Sequence, residues 1–525
     1  MTSLARCVAT VLAAVTLTAG SSGSAVPSKP DDKTILHVLN RIGYGARPGD
    51  VARVRQTGLE AYIDQQLRPE RIRTLAMDSR LAALPSLSMS ARAIAEEYFI
   101  PANQARVQAK RASGAAPDDK APPAGREMTA VGKPARTPEQ MELARKERQV
   151  LAELSAQKIL RAAFSERQLE AVMIDFWFNH FNVFAAKGAT PQYVTEYERD
   201  AIRPHVFGKF RDLLGATAHS PAMLFYLDNW QSADPDAQNA RRPLNAMRPG
   251  QEAPRPKRGL NENYGRELME LHTLGVDGGY TQDDVVNVAR AFTGWTITTP
   301  RQGGGFRFDP RIHDRGDKIV LGQKIKGGGE GDGEKVLDIL ARHPATATFI
   351  STKLARRFVA DTPPAALVQR AAARFRQTDG DIREVVRLIL TSPEFFSAEA
   401  YRAKVKNPLE FVVSAVRATG TDVRDAMPLA QAVRQLGMPL YLAQPPTGYP
   451  DKAEAWVNTG ALLNRMNFAL QLVGGRLRGV LPGTSAVAAV LADDVSSTTA
   501  ATIAQAKDAA QLAALTLGSP EFQRR

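Results

Sequence analysis

The sequence predicts a mainly α-helical protein, a multi-helix globular body carrying one small β-hairpin. Three observations carry that reading. Apolar residues recur at spacings of three and four, as Leu151, Leu154, Ile159, Leu160, Ala163 and Phe164 do within 138–184. The best β candidate, GGGFRFDPRIHDRGDKIVLG at 303–322, alternates like strands around turn residues. A 525-residue chain with 44% hydrophobic and 23% charged residues has ordinary globular proportions and room for a large core, which excludes collagen-like, acidic-tail and membrane-embedded classes.

Along the chain, residues 1–25 read as a signal peptide. Arg6 precedes an apolar run from Cys7 to Ala19, and small residues follow up to Ala25. The run is shorter than the ~20 residues needed to span a bilayer, so the expected location is periplasmic or extracellular, with no transmembrane segment in the mature chain. The only cysteine, Cys7, lies in this removable segment; the mature protein is expected to lack disulfides, thiol nucleophiles and zinc-thiolate sites.

Residues 26–108 form an N-terminal helical part, in which HVLNRIGYGARPGDVARVRQTGLEAYIDQQL at 37–67 reads as two short helices joined by a Gly/Pro turn. Residues 109–137, rich in Ala, Pro, Gly and Lys, read as a low-complexity insertion. Residues 138–400 make a central helical domain holding the polar motifs and the hairpin near 303–322. Residues 401–525 form a C-terminal helical part. LILTSPEF at 388–395 is echoed by LTLGSPEF at 515–522, each closing a helical stretch.

The net charge of +13 invites a nucleic-acid reading. Much of the excess lies in the loops at 109–136 and 241–258, away from any helix with interleaved aromatics, so nucleic acid is not the expected partner. The glycine run at 327–333 lacks the Lys and Ser/Thr of a phosphate loop, and Glu330, Asp332 and Glu334 would repel phosphate.

Two helices concentrate polar groups. GLNENYGRELMELHTLGVDGG at 259–279 places His272 in an apolar stripe with Tyr264 and Leu268, Glu267 at its edge, and Glu262, Arg266 and Glu270 on a flank at ion-pair spacing. ERQLEAVMIDFWFNHFNVF at 166–184 aligns Leu169, Met173, Phe176 and His180, with Asp175 and Asn179 at the margin. A histidine on an apolar face is first of all a core residue. Two such helices in one chain raise the expectation that His180 and His272 converge. Glu267, Glu270, His272 and His180 are the candidates for acid/base or ligand chemistry. Asp175, Asn179, Asn261, Asn263, Arg266, His219 and Asp228 are the candidates to orient or bind. His313 and Asp314, in the expected hairpin turn, could bind a divalent metal, although Asp and Gly there also suit turn geometry. HExxH, Glu-x-x-His and Gly-x-Ser-x-Gly are absent.

These segments, with ARAFTGW, FDPRIHDRGDK, LARHPATATFISTKLARRFV and DGDIREVVRLILTSPEF, make the chain resemble the bacterial domain-of-unknown-function 1800 family from about residue 37 to the end. The resemblance implies a largely helical, exported protein, often encoded beside a second exported protein similar to alkaline phosphatases and sulfatases. It implies no catalytic activity or cofactor. The expectation is an exported envelope enzyme acting on polysaccharide by acid/base or metal-assisted chemistry, with its pocket between the two polar helices and the hairpin. The alternative is a non-catalytic partner or assembly factor for another exported protein.

Overall fold

A computed structural model describes residues 25–112, 137–236, 259–302, 304–483, 487–491 and 494–525. The expected signal peptide, nearly all of the low-complexity insertion and the Arg-rich loop before Gly259 lie outside the described residues. Elsewhere the protein is mainly α-helical.

The longest helix, Pro138–Phe164, starts where its sequence dictates. Thr137 and Gln140 form a reciprocal capping box and Pro138 occupies the first turn, where its missing N–H costs nothing. The chain breaks at Ser165 and resumes as the helix Gln168–His180. Side-chain amides satisfy the backbone groups exposed by that break. Gln168 Nε2 donates to the carbonyls of Ala162 (3.0 Å) and Ser165 (2.8 Å), and Gln66 Nε2 donates to that of Glu166 (2.9 Å).

Where two short helices were expected over 37–67, three form: Asp32–Arg41, Asp50–Thr57 and Leu59–Gln66. The second breaks at Gly58, whose φ of 87° no helix accommodates. They dock on a distant part of the chain through His37 Nε2, which donates to the carbonyl of Phe395 at 2.8 Å.

The main hydrophobic cluster extends from Ile35 to Phe522, and a small second one joins Ile94, Tyr98 and Val150. Trp177, Phe181 and Phe210 are fully buried at its centre with ring centroids 5.9–6.3 Å apart. Each such side chain contributes roughly 1.5–3 kcal/mol by leaving water. The helix Ile382–Leu390 shows how sequence dictates packing: Ile382, Val385, Val386, Ile389 and Leu390 fall on one face and are all buried. The two SPEF segments adopt the same turn. Ser392 and Ser519 each accept from the backbone N–H three residues on (3.2 Å in both), and Phe395 and Phe522 are both buried.

The β structure corrects the expected pairing. Phe306–Phe308 and Lys318–Val320 do not pair with each other. Phe306–Phe308 pairs antiparallel with Trp295–Ile297, and Lys318–Val320 pairs with Gln323–Ile325 across Leu321 and Gly322, both at positive φ. The intervening DPRIHDRGDK does not form a hairpin turn because its side chains tie it sideways. His313 Nδ1 donates to the carbonyl of Thr293 at 2.7 Å, and Arg290 holds Asp314 at 2.6 Å. Fully buried Trp295 supplies an apolar strand for Phe306 and Phe308 to cover. Among the described residues, no helix is long and apolar enough to cross a membrane.

Candidate functional site

His180 ends its helix with its ring buried, and both nitrogens are engaged. Nε2–H donates to the carbonyl of His272 at 3.1 Å, which leaves Nδ1 as an acceptor for Lys353 Nζ at 2.8 Å. The His272 carbonyl is free to accept because the helix ends there in a π turn. The Leu274 N–H reaches back to Met269 and the Thr273 hydroxyl to Leu268, each five residues earlier. The two imidazoles lie 6.3 Å apart. Burial, then Lys353, holds His180 well below the ordinary imidazole range. His272 is pushed down to about 3 by the same two causes, and its Nε2 has no partner. Both rings are therefore neutral at physiological pH.

Lys353 lies on the helix Pro344–Phe358, three residues after buried Ile350 and four before buried Arg357. Among the described residues no carboxylate reaches its amine, whose polar partner is the neutral His180. Burial, followed by the charge of Arg356, brings its pKa down to about 8.

Lys353 and His180 open onto a cleft of about 230 Å³, enclosed by their two helices and the loop that includes Tyr449 and Trp456. Asn179 fixes that loop, donating to the Tyr449 carbonyl (2.8 Å) and accepting from the Tyr449 N–H (2.7 Å). Gly448 makes the approach possible. Its φ is +70°, and a Cβ there would lie 2.4 Å from the Asn179 carbonyl oxygen. Asp175 lines the cleft but is held by buried Lys158 at 2.8 Å, and Asp451 is held by buried Lys404 at 2.9 Å.

The remaining candidates lie elsewhere. Glu267 and Glu270 do not line this cleft. Burial, then Glu270, raises the Glu267 pKa, and Glu270 accepts from the Tyr280 hydroxyl at 3.1 Å. Asn261 is a helix cap: its side chain accepts from the Asn263 N–H (2.9 Å) and donates to the Leu227 carbonyl (2.8 Å), while the Asn263 side chain is exposed. Arg266 donates to Gln282 at 2.8 Å and approaches Glu262 at 3.9 Å. Asp228 pairs with Lys187 at 2.7 Å.

His219 donates to the Gly215 carbonyl (2.8 Å) and meets Glu334 (2.9 Å) with its ring packed against Trp295 and Phe306. Burial alone would lower its pKa, but the bond to Glu334 reverses the direction and raises it.

The metal candidates do not face each other across an open site. His313 Nε2 meets buried Asp332 at 3.2 Å, and Asp332 is also held by Lys318 at 2.8 Å; the Asp314 carboxylate takes Arg290. Among the described residues no group of three or more His, Cys, Asp or Glu side chains is arranged to hold a metal ion.

Lys353 is the functional candidate that sequence reasoning missed. Its signal was a lysine on the buried side of an amphipathic helix, one turn from Ile350 and Arg357.

Fold and site define a mainly helical protein with a half-buried lysine on a buried histidine at the floor of a cleft. Residues 37–524 match the family described as "Protein of unknown function (DUF1800)", and the chain belongs to that family. No curated protein and no solved structure matches it.

Proposed function

We propose that the protein is an exported envelope enzyme that works by acid/base chemistry on polysaccharide, with Lys353 as the group that takes and returns the proton. The observation that carries this reading is the 2.8 Å contact between Lys353 Nζ and His180 Nδ1 at the cleft floor, with no carboxylate on the amine. Drawing an ammonium part-way out of water with no carboxylate in contact is costly to fold. Its effect here is an amine titrating at about 8, close to the pH at which a general base works best. His180 is the positioning residue. Its depressed basicity keeps Nδ1 an acceptor, so it holds the amine in place without competing for the proton. The signal-like residues 1–25 support export, and that location supports envelope polysaccharide as the substrate class.

The test is turnover of isolated envelope polysaccharide, followed by release of reducing ends. Lys353→Met is expected to lower the rate by roughly 10²–10⁴-fold, the usual worth of a general base, with the circular dichroism spectrum unchanged. The wild-type rate should rise with pH through about 8. Wild-type turnover by Lys353→Met, or a Lys353 that titrates like an exposed lysine, would remove Lys353 as the base, and no turnover by the wild type would remove the enzyme reading in favour of a non-catalytic partner for another exported protein.

A further inference from the structure

The cleft is chemically lopsided. Both of its aspartates are tied to buried lysines, Asp175 to Lys158 and Asp451 to Lys404. Hydrolysis of a glycoside by the common route takes two carboxyl groups free to exchange protons or attack the sugar, and a carboxylate locked onto an ammonium is poorly placed for either task. The cations are split: Arg357 pairs with Glu410 at 2.6 Å and Lys452 approaches Glu454 at 3.8 Å, while two others stay clear of carboxylates. Neither Lys353 nor Arg356 meets a carboxylate among the described residues. Arg356 gives only Nε to the Asp361 carbonyl, at 3.1 Å, and its other guanidinium nitrogens remain available. The two residues are three apart on one helix, hence on the same side, and both line the cleft. Phe176, Tyr449 and Trp456 supply its aromatic wall.

A pocket with an amine base, an adjacent unpaired guanidinium and aromatic walls suits a sugar that carries its own negative charge. We infer that the substrate is a uronate-containing polysaccharide and that the reaction is β-elimination, with Arg356 on the sugar carboxylate and Lys353 on the carbon acid beside it. This rests on the reading of Lys353 as the base. The neutral amine takes the proton from the carbon α to the carboxylate. The C–H electron pair becomes the C=C bond, and the β C–O bond breaks with its pair on the departing glycosidic oxygen. That oxygen receives the proton held by Lys353, so the amine is regenerated and no co-reactant is consumed. Arg356 stabilises the charge that builds on the carboxylate as the proton leaves.

The experiment uses the full mature chain with polymers of galacturonate, glucuronate and mannuronate, and with a neutral glucan. Ultraviolet absorbance of the conjugated unsaturated uronate and release of reducing ends are followed together. The expected result is that both rise in step on at least one uronate polymer and neither rises on the glucan. Arg356→Gln is expected to lower kcat/KM about a hundredfold, the usual loss of one charge-stabilising donor, with an unchanged melting temperature, since the side chain is partly exposed and makes one bond to the protein. Reducing ends without absorbance would mean hydrolysis; that would overturn the elimination and leave Lys353 as a base. No product from any of the three uronate polymers would overturn the substrate assignment even if Lys353 titrates low. A Lys353 that titrates as an ordinary lysine would instead sink the reading beneath it.

Discussion

Replacing Lys353 by methionine should change how stability depends on pH. In the unfolded chain the amine titrates near its ordinary 10.5, whereas in the fold burial and Arg356 bring it to about 8. Between those two values the unfolded chain binds more protons than the folded one. The wild type therefore gains stability as pH rises through that window, and below it carries the full cost of burying an ammonium. At 1.36 kcal/mol per pK unit the cost is about 3 kcal/mol, trimmed to about 2 by solvent at the cleft mouth. Methionine has nearly the same length and no charge, so the variant is free of this term. Losing the bond to His180 shifts the variant by a constant amount, because His180 stays neutral throughout the range. Urea denaturation of both proteins from about pH 7 to about pH 11 isolates the titrating part. The stability of Lys353→Met relative to wild type should fall by about 2–3 kcal/mol over that range. Parallel profiles would refute the depressed amine and the argument built on it.

Three further outcomes are expected. Gly448→Ala places a methyl group 2.4 Å from the Asn179 carbonyl at a φ of +70°; it should cost about 1–3 kcal/mol and weaken ligand binding as the Tyr449 loop shifts, both measurable by thermal melts with and without saccharide. His219, raised by Glu334, stabilises the fold below the ordinary imidazole value of 6.5, and that contribution is lost as pH climbs through its higher folded value. Glu334→Gln should flatten the stability profile in that window and bring the NMR-titrated His219 pKa down; an unmoved titration would dismiss the pair. Asp332→Ala leaves Lys318 only Asp314, whose carboxylate is 3.7 Å away, and removes the partner of His313 in a fully buried site, so a loss of about 3–5 kcal/mol is expected in urea denaturation. A loss below about 1 kcal/mol would show that the triad is not a cooperative unit.

The helical bodies were legible because their information is local. Leu169, Met173, Phe176 and His180 mark one stripe by spacing alone, and Thr137, Pro138 and Gln140 mark a helix start. Strand pairing was less so: Phe306 and Phe308 alternate correctly, but their partner was decided by the burial of Trp295 and by the ties of His313 and Asp314, none of which alternation encodes. In the site, helical spacing placed His272 on the apolar stripe, yet Lys353 became visible only in three dimensions. Its partner His180 lies 173 residues away, and the Asn179 clamp on Tyr449 spans 270 residues. No periodicity reports contacts at that range. The flank of Glu262 and Arg266 was read as a surface pair, and their 3.9 Å approach and shared neighbour Gln282 make them one.

The contact between a lysine and a neutral imidazole also has a chemical consequence. At neutral pH an amine titrating at about 8 is unprotonated in roughly one molecule in ten, against about one in three thousand for an ordinary lysine. With its half-exposed position at the cleft floor, that makes Lys353 a side chain that amine-directed reagents should label readily. A saccharide bearing an aldehyde, allowed to form an imine there and then reduced with borohydride, would leave its mark on the peptide that carries Lys353, and the sugar retained would report what the pocket accepts.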